Sequence, residues 1–185
     1  SGTGNLYAVY VQGDVGAGSN TIQYNTITGG RRGVQVDSGN SGTTMIAYNA
    51  VTGAGSGETG GGRGIAAVGD ATHQPVVIAR FNEIRDNGFA GIDLGGDVSM
   101  LSLFENNMIS NNWRGIESSS PVTVAFNAIV HNVYGGVITH YGSAASEATI
   151  AASNWWGAAT GPWNAANPGG QGNAVNNNNM APIDF

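Results

Sequence analysis

One six-residue pattern recurs along this chain and constrains its fold more than any other feature. The unit apolar-x-x-Asn-x-apolar reads Ile22-x-x-Asn25-x-Ile27, Ile46-x-x-Asn49-x-Val51, Leu103-x-x-Asn106-x-Met108 and Val124-x-x-Asn127-x-Ile129. Asn82 and Asn154 continue the series, with Ala79 and Ala151 in the leading slot. The anchors stand 24, 33, 24, 21 and 27 residues apart. A second asparagine follows five residues after three of them, at Asn87, Asn111 and Asn132. Nine residues after the same three anchors a glycine opens a short strand: Gly91-Ile92-Asp93-Leu94, Gly115-Ile116-Glu117-Ser118 and Gly136-Val137-Ile138-Thr139. Self-similarity at such a period marks a solenoid or an array.

Each unit offers alternating strands of four to six residues between turns of Gly, Asn, Ser and Asp, and none carries a helical stripe. A meander of hairpins would not return the same residue types to one fixed point of every repeat. A solenoid does, with each repeat one coil and matching positions stacked about 4.8 Å apart. Three inward columns follow: Ile22, Ile46, Ala79, Leu103, Val124, Ala151; then Ile27, Val51, Ile84, Met108, Ile129, Trp156; then Val9, Val34, Ile65, Ile92, Ile116, Val137. Asparagine is a poor strand residue that tolerates left-handed turns. Asn25, Asn49, Asn82, Asn106, Asn127 and Asn154 are therefore expected to form a structural ladder at one corner, each amide satisfying the next. The expected fold is an all-β parallel β-helix of about six coils over residues 1–157, with residues 158–185 an irregular C-terminal cap of the same domain.

Composition narrows the functional classes. Only 10% of residues are charged, against about 25% in an ordinary domain. The 31 glycines and 21 asparagines, with Ser and Thr, keep the surface wet instead. All six cations are arginine and the net charge is −6, which argues against nucleic acid as a partner. No apolar run reaches the roughly 18 residues of a membrane span, so membrane insertion is not expected. The start at Ser1 lacks the basic and apolar regions of a signal peptide, as in a mature form or an excised piece. With no cysteine, disulfide and thiolate chemistry drop out.

The asparagine repeat over residues 6–157 resembles that of right-handed parallel β-helix proteins of the pectin-lyase-like superfamily. The closing stretch Asn154-Trp155-Trp156-Gly157, Gly161-Pro162 and Asn167-Pro168-Gly169-Gly170 is similar to a C-terminal segment of secreted bacterial chains of that type. The resemblance implies a right-handed coil, an extracellular or cell-surface location and dealings with polysaccharide. It does not imply one activity, because this fold hosts lyases, hydrolases, epimerases, adhesins and spacers.

Nine of the eighteen charges fall between residues 80 and 117, making coils three and four the polar centre. The outward position of the glycine-opened strands gives the column Tyr10, Gln35, Ala66, Asp93, Glu117, Ile138. Asp93 and Glu117 are thus expected side by side, about 5 Å apart, with Arg80 and Arg114 as the nearby cations and Glu105 as a further ligand-binding candidate. Opposed carboxylates need compensation. A shared proton would make an acid–base pair, a calcium ion would make a lyase-like or structural site, and splaying into water would make neither. Calcium is the one cofactor this arrangement invites. Arg80, Asp93 and Glu117 are the catalytic candidates if the chain is a polysaccharide lyase or glycoside hydrolase; no Asp-Asp pair of the hydrolase kind occurs. His73, His131 and His140 lack metal-ligand spacing.

The residues before the anchors, Tyr24, Tyr48, Phe81, Glu105, Phe126 and Ser153, suit either a corner stack or a sugar-binding strip. Trp155, Trp156 and Trp163 suit a cap over the last coil. Two loops interrupt the coils, a glycine-rich one over Gly53–Arg63 that carries Glu58 and a shorter one over Tyr141–Glu147. The leading functional expectation is a non-catalytic module that binds polysaccharide or is presented at the cell surface. The rivals are the carbohydrate-active enzyme and a subunit of an extracellular filament, with end-to-end self-association or a longer parent chain accounting for the unfinished first coil.

Overall fold

The computed structural model describes residues 6–12, 18–37, 39, 42–55, 61–140, 148–177 and 183–185. The chain forms a parallel β-helix of three sheets with every named pairing parallel. The first sheet holds β1 (Tyr7–Val11), β4 (Arg32–Val36), β7 (Arg63–Gly69), β10 (Ala90–Gly96), β13 (Arg114–Ser118), β16 (Gly135–Thr139) and β18 (Val175–Asn176) in that order. The second holds β2 (Ser19–Gln23), β5 (Thr43–Ala47), β8 (Val76–Arg80), β11 (Leu103–Glu105), β14 (Thr123–Ala125), β17 (Thr149–Ile150) and β19 (Ile183–Asp184). The third holds β3 (Thr26–Thr28), β6 (Ala50–Thr52), β9 (Glu83–Arg85), β12 (Met108–Ser110) and β15 (Ala128–Val130). Each coil visits the three sheets in turn. The core fills the space between them with stacked Val, Ile and Leu from all three.

The ladder sits between the second and third sheets. The backbone N–H and Nδ2 of Asn25 donate to Asn49 Oδ1 at 3.0 and 3.1 Å. Asn49 does the same to Asn82, Asn82 to Asn107, Asn107 to Asn127 and Asn127 to Asn154, all at 2.9–3.0 Å. Each Nδ2 from Asn49 onward also reaches a carbonyl of the preceding coil, as in Asn49 to Ile22 O and Asn107 to Ala79 O, both 2.9 Å. One amide therefore ties three coils together, and among the described residues no buried side-chain amide at this corner is left unpaired.

Asn106 is not a rung, and the expectation that placed it there is corrected to Asn107. The same shift by one residue replaces Leu103 and Met108 in the core columns by Phe104 and Ile109, both fully buried, while Met108 is 48% exposed. Counting back nine residues from Gly115 misplaces the anchor because this coil has one residue fewer between its second corner and that glycine. Strand side chains alternate, so a slip of one turns every side chain over, and burying Phe104 with Ile109 decides the register. Asn106 occupies instead the left-handed position before the rung, φ 55°, as do Tyr24, Tyr48, Phe81, Phe126 and Ser153 in their coils. Glu105 accordingly leaves the aromatic column and Asn106 takes its place.

A second ladder clamps the corner between the third and first sheets. Asn87 donates to Asn112 Oδ1, Asn112 to Asn132 and Asn132 to Asn173, at 3.0–3.1 Å. Asn111, like Asn106, is displaced by its neighbour and lies before the rung at φ 55°. Beneath this corner runs the glycine column. A Cβ on Gly91 would lie 2.8 Å from Gly115 O and 2.9 Å from both Ile109 Cγ2 and Asn112 Nδ2. Gly64 and Gly115 are confined in the same way by the next coil's carbonyl and a ladder amide. Past residue 157 the chain supplies Asn173, β18 and β19, so the C-terminal segment adds to both ladder and sheets. Of the three tryptophans after residue 150 only Trp156 enters the core; Trp155 and Trp163 are exposed. Residues 56–60 of the first loop, Glu58 among them, and all of Tyr141–Glu147 lie outside the described residues.

Replacing Asn107 with Leu strands the donors of Asn82 and should cost on the order of 1–3 kcal/mol in urea unfolding. Replacing Asn106 with Gly, which is at ease at positive φ, should leave stability nearly unchanged. The reverse ranking would overturn the register.

Candidate functional site

The first sheet presents two outward columns. Tyr7, Arg32, Arg63, Ala90, Arg114 and Gly135 stack in register just before the glycine column. Tyr10, Gln35, Ala66, Asp93, Glu117 and Ile138 stack three residues further on. The expected pairing of Asp93 with Glu117 is thus present. Residues i and i+3 of these two columns meet on the same face. Tyr7 stacks on Tyr10 at 4.8 Å, Arg32 Nη1 donates to Gln35 Oε1 at 2.8 Å, and Arg114 Nη1 donates to Glu117 Oε1.

Each carboxylate has its own arginine. Arg63 Nε donates to Asp93 Oδ2 from the preceding coil, while Arg114 holds Glu117. His140 Nε2 lies 2.6 Å from the same oxygen, Glu117 Oε1. The Arg114 and Glu117 side chains are only 19% and 12% exposed, so their attraction is weakly screened by solvent. Between the arginines sits Phe89, its ring 4.8 Å from both the Arg63 and the Arg114 guanidinium carbons. Arg114 also covers Tyr134 at 5.1 Å, and Tyr134 stacks on Trp113 at 6.0 Å. Arg32 lies over Tyr7 at 5.7 Å. Planar cations and rings alternate along the face, an arrangement worth more as it sheds water.

Not all the expected site residues meet here. Asp93, Glu117 and Arg114 do. Arg80 and Glu105 lie on the second sheet, where they are register neighbours with Arg80 Nε 2.9 Å from Glu105 Oε1. Arg85 is occupied by Glu83 and Asp86 at the third sheet. Arg63, Phe89, Trp113 and Tyr134 complete the face and were not foreseen. A signal for the arginines was present in the Arg-Gly dipeptides Arg32-Gly33, Arg63-Gly64 and Arg114-Gly115, which recur at strand openings. Among the described residues, no group of three or more His, Cys, Asp or Glu gathers to hold a metal. His73 is 3.3 Å from Asp70, and His131 occupies the left-handed position of the second corner.

At the N-terminal edge of the face Tyr10 donates to Asp37 Oδ2. That hydrogen bond, then lost hydration, then the Asp37 charge push the phenol up to about 12. The folded value exceeds the roughly 10 of an unfolded chain. Any stability it confers is therefore present below pH 10 and lost as pH rises from 10 to 12. Ultraviolet titration should show a late-ionising tyrosine, and Asp37→Asn should lower its pKa toward the ordinary phenol value of about 10. Because Glu117 is held by Arg114 rather than left to repel Asp93, Glu117→Gln should destabilise, by roughly 1–3 kcal/mol in chemical unfolding. A gain in stability would show that repulsion dominates. Comparison of the chain with protein-family models, with curated proteins and with solved structures returns no match, so the role of this face rests on its own geometry.

Proposed function

We propose that this chain is a non-catalytic, extracellular or cell-surface β-helix module that binds polysaccharide along the outer face of its first sheet. The observation that carries the reading is the row Arg63, Phe89, Arg114, Tyr134 and Trp113, with Asp93 and Glu117 beside it. Sugars offer two things to a protein: C–H faces that lie on aromatic rings, and hydroxyls that accept from guanidinium and donate to carboxylate. This row supplies all three partners within three adjacent coils. The strand spacing repeats them about every 4.8 Å, suiting an extended chain laid along the solenoid axis.

The absence of turnover in the proposal follows from how the carboxylates are engaged. A general acid or base must be within reach of the proton it moves, and Asp93 and Glu117 both spend an oxygen on an arginine. The enzyme reading would need these pairs to open, with calcium or a substrate carboxylate taking over.

The test is a glycan array and a uronate-depolymerisation assay on the same sample, with and without calcium. Saturable binding without product is expected, weakened tenfold or more in Arg63→Ala and in Tyr134→Ala. Depolymerisation that disappears in chelator and in Glu117→Gln would replace the module by a lyase. Binding unaffected by either substitution would move the ligand off this face.

A further inference from the structure

The rungs of the second ladder are alike, but the residues that follow them are not. Asn112 precedes Trp113 and Asn132 precedes Val133, whereas Asn87 precedes Gly88 in the one Asn-Gly dipeptide of the sequence. Packing dictates both members of that pair. Asn87 is a rung, 2% exposed, with its N–H and Nδ2 on Asn112 Oδ1 at 3.1 and 3.0 Å. A Cβ on Gly88 would lie 2.7 Å from Gly55 O of the preceding coil, so a larger residue there would have to displace backbone.

Asn-Gly is also the pair in which an asparagine side chain is most readily lost to its own backbone. The glycine nitrogen, stripped of its proton by solvent, bonds to the asparagine Cγ; the Cγ–Nδ2 bond breaks, and Nδ2 takes up a proton and leaves as ammonia. Water then opens the cyclic imide at one carbonyl or the other, giving aspartate or an isoaspartyl link. Nothing is oxidised or reduced. A side chain on the following residue hinders the approach, while the backbone freedom of glycine helps the nitrogen reach Cγ. Trp113 and Val133 shield their rungs in this way, and Gly88 does not.

In the folded chain both reacting groups are engaged with Ala54, itself fully buried. The Ala54 N–H donates to Asn87 Oδ1 at 3.1 Å, and the Gly88 N–H donates to Ala54 O at 2.9 Å. Attack requires Gly88 to leave Ala54 O and the Asn87 amide to swing away from Ala54, Val51 O and Asn112 together. We propose that Asn87-Gly88 is a self-modification site held shut by this clasp, one that reacts when the corner opens and then keeps it from closing properly. An aspartate at position 87 has no Nδ2 donor, so one carboxylate oxygen would face Asn112 Oδ1 and Val51 O, two acceptors, at a buried position. An isoaspartyl link would lengthen the backbone just before Phe89, whose N–H donates to Gly62 O at 2.7 Å and whose ring stands between Arg63 and Arg114.

The test is peptide mapping of the whole protein by mass spectrometry after incubation in mildly alkaline buffer, with and without denaturing guanidinium chloride. In denaturant, conversion at Asn87 is expected to run at least tenfold faster than at Asn112 or Asn132. Without denaturant it should slow at least tenfold. Asn87→Asp should unfold at lower denaturant than the parent or fail to fold. Equal rates at Asn87 in the two buffers would overturn the clasp, and a rate at Asn87 in denaturant no faster than at Asn112 would overturn the site. Matching unfolding midpoints for Asn87→Asp and the parent would show that the modified corner closes as before, and would overturn the proposal as well.

Discussion

Side-chain amides that bond along the solenoid axis are what the rest of the molecule depends on. Backbone hydrogen bonds hold neighbouring strands together, but they do not say where a coil should turn. The buried asparagines do, because each satisfies its own amide only when the coils on both sides place their corners directly above and below. A misplaced corner leaves a donor or acceptor buried without a partner, at a cost of about 1–3 kcal/mol. The left-handed residue before each rung costs backbone energy as well. Tyr48 and Phe81 accept that geometry and recover part of it by stacking at 5.0 Å.

The candidate face follows from this frame. Once the second corner is pinned, the first-sheet strand that follows it has a fixed start, with the glycine column close behind that start. Arg32, Arg63 and Arg114 come just before the glycine column, while Asp93 and Glu117 come two residues after it. Cation and carboxylate are therefore brought together by backbone geometry before any attraction between them acts. Phe89 reaches the same place from the turn, being the residue whose carbonyl accepts the Arg114 N–H at 2.8 Å.

Much of the architecture could be read from residue order alone. The pairing of Asp93 with Glu117 and the columns through Val34, Ile65, Ile92 and Ile116 depend only on period and alternation. What escaped were features set by competition between adjacent identical residues. Asn106-Asn107 and Asn111-Asn112 each offer two chemically equal rungs, and only the burial of Phe104 and Ile109 against the alternative of Leu103 and Met108 selects one. The role of Arg63 was hidden for a different reason: it adjoins the glycine-rich loop, and its partner Asp93 is 30 residues away. Arg80 was drawn to the polar centre by nearness in sequence, although its strand belongs to another sheet.

In the five coils that carry a third-sheet strand, the corner between the second and third sheets has one length, one left-handed residue and one rung. The turn from the first sheet to the second runs from four residues after β13 to nine after β16. Among the described residues no asparagine ladder constrains that turn, and it leaves the first sheet at the strand ends just beyond Asp93 and Glu117. Segments can therefore be lengthened, shortened or exchanged there without disturbing either clamp. A frame divided in this way allows the contour beside the arginine row to diversify independently of the scaffold that carries it.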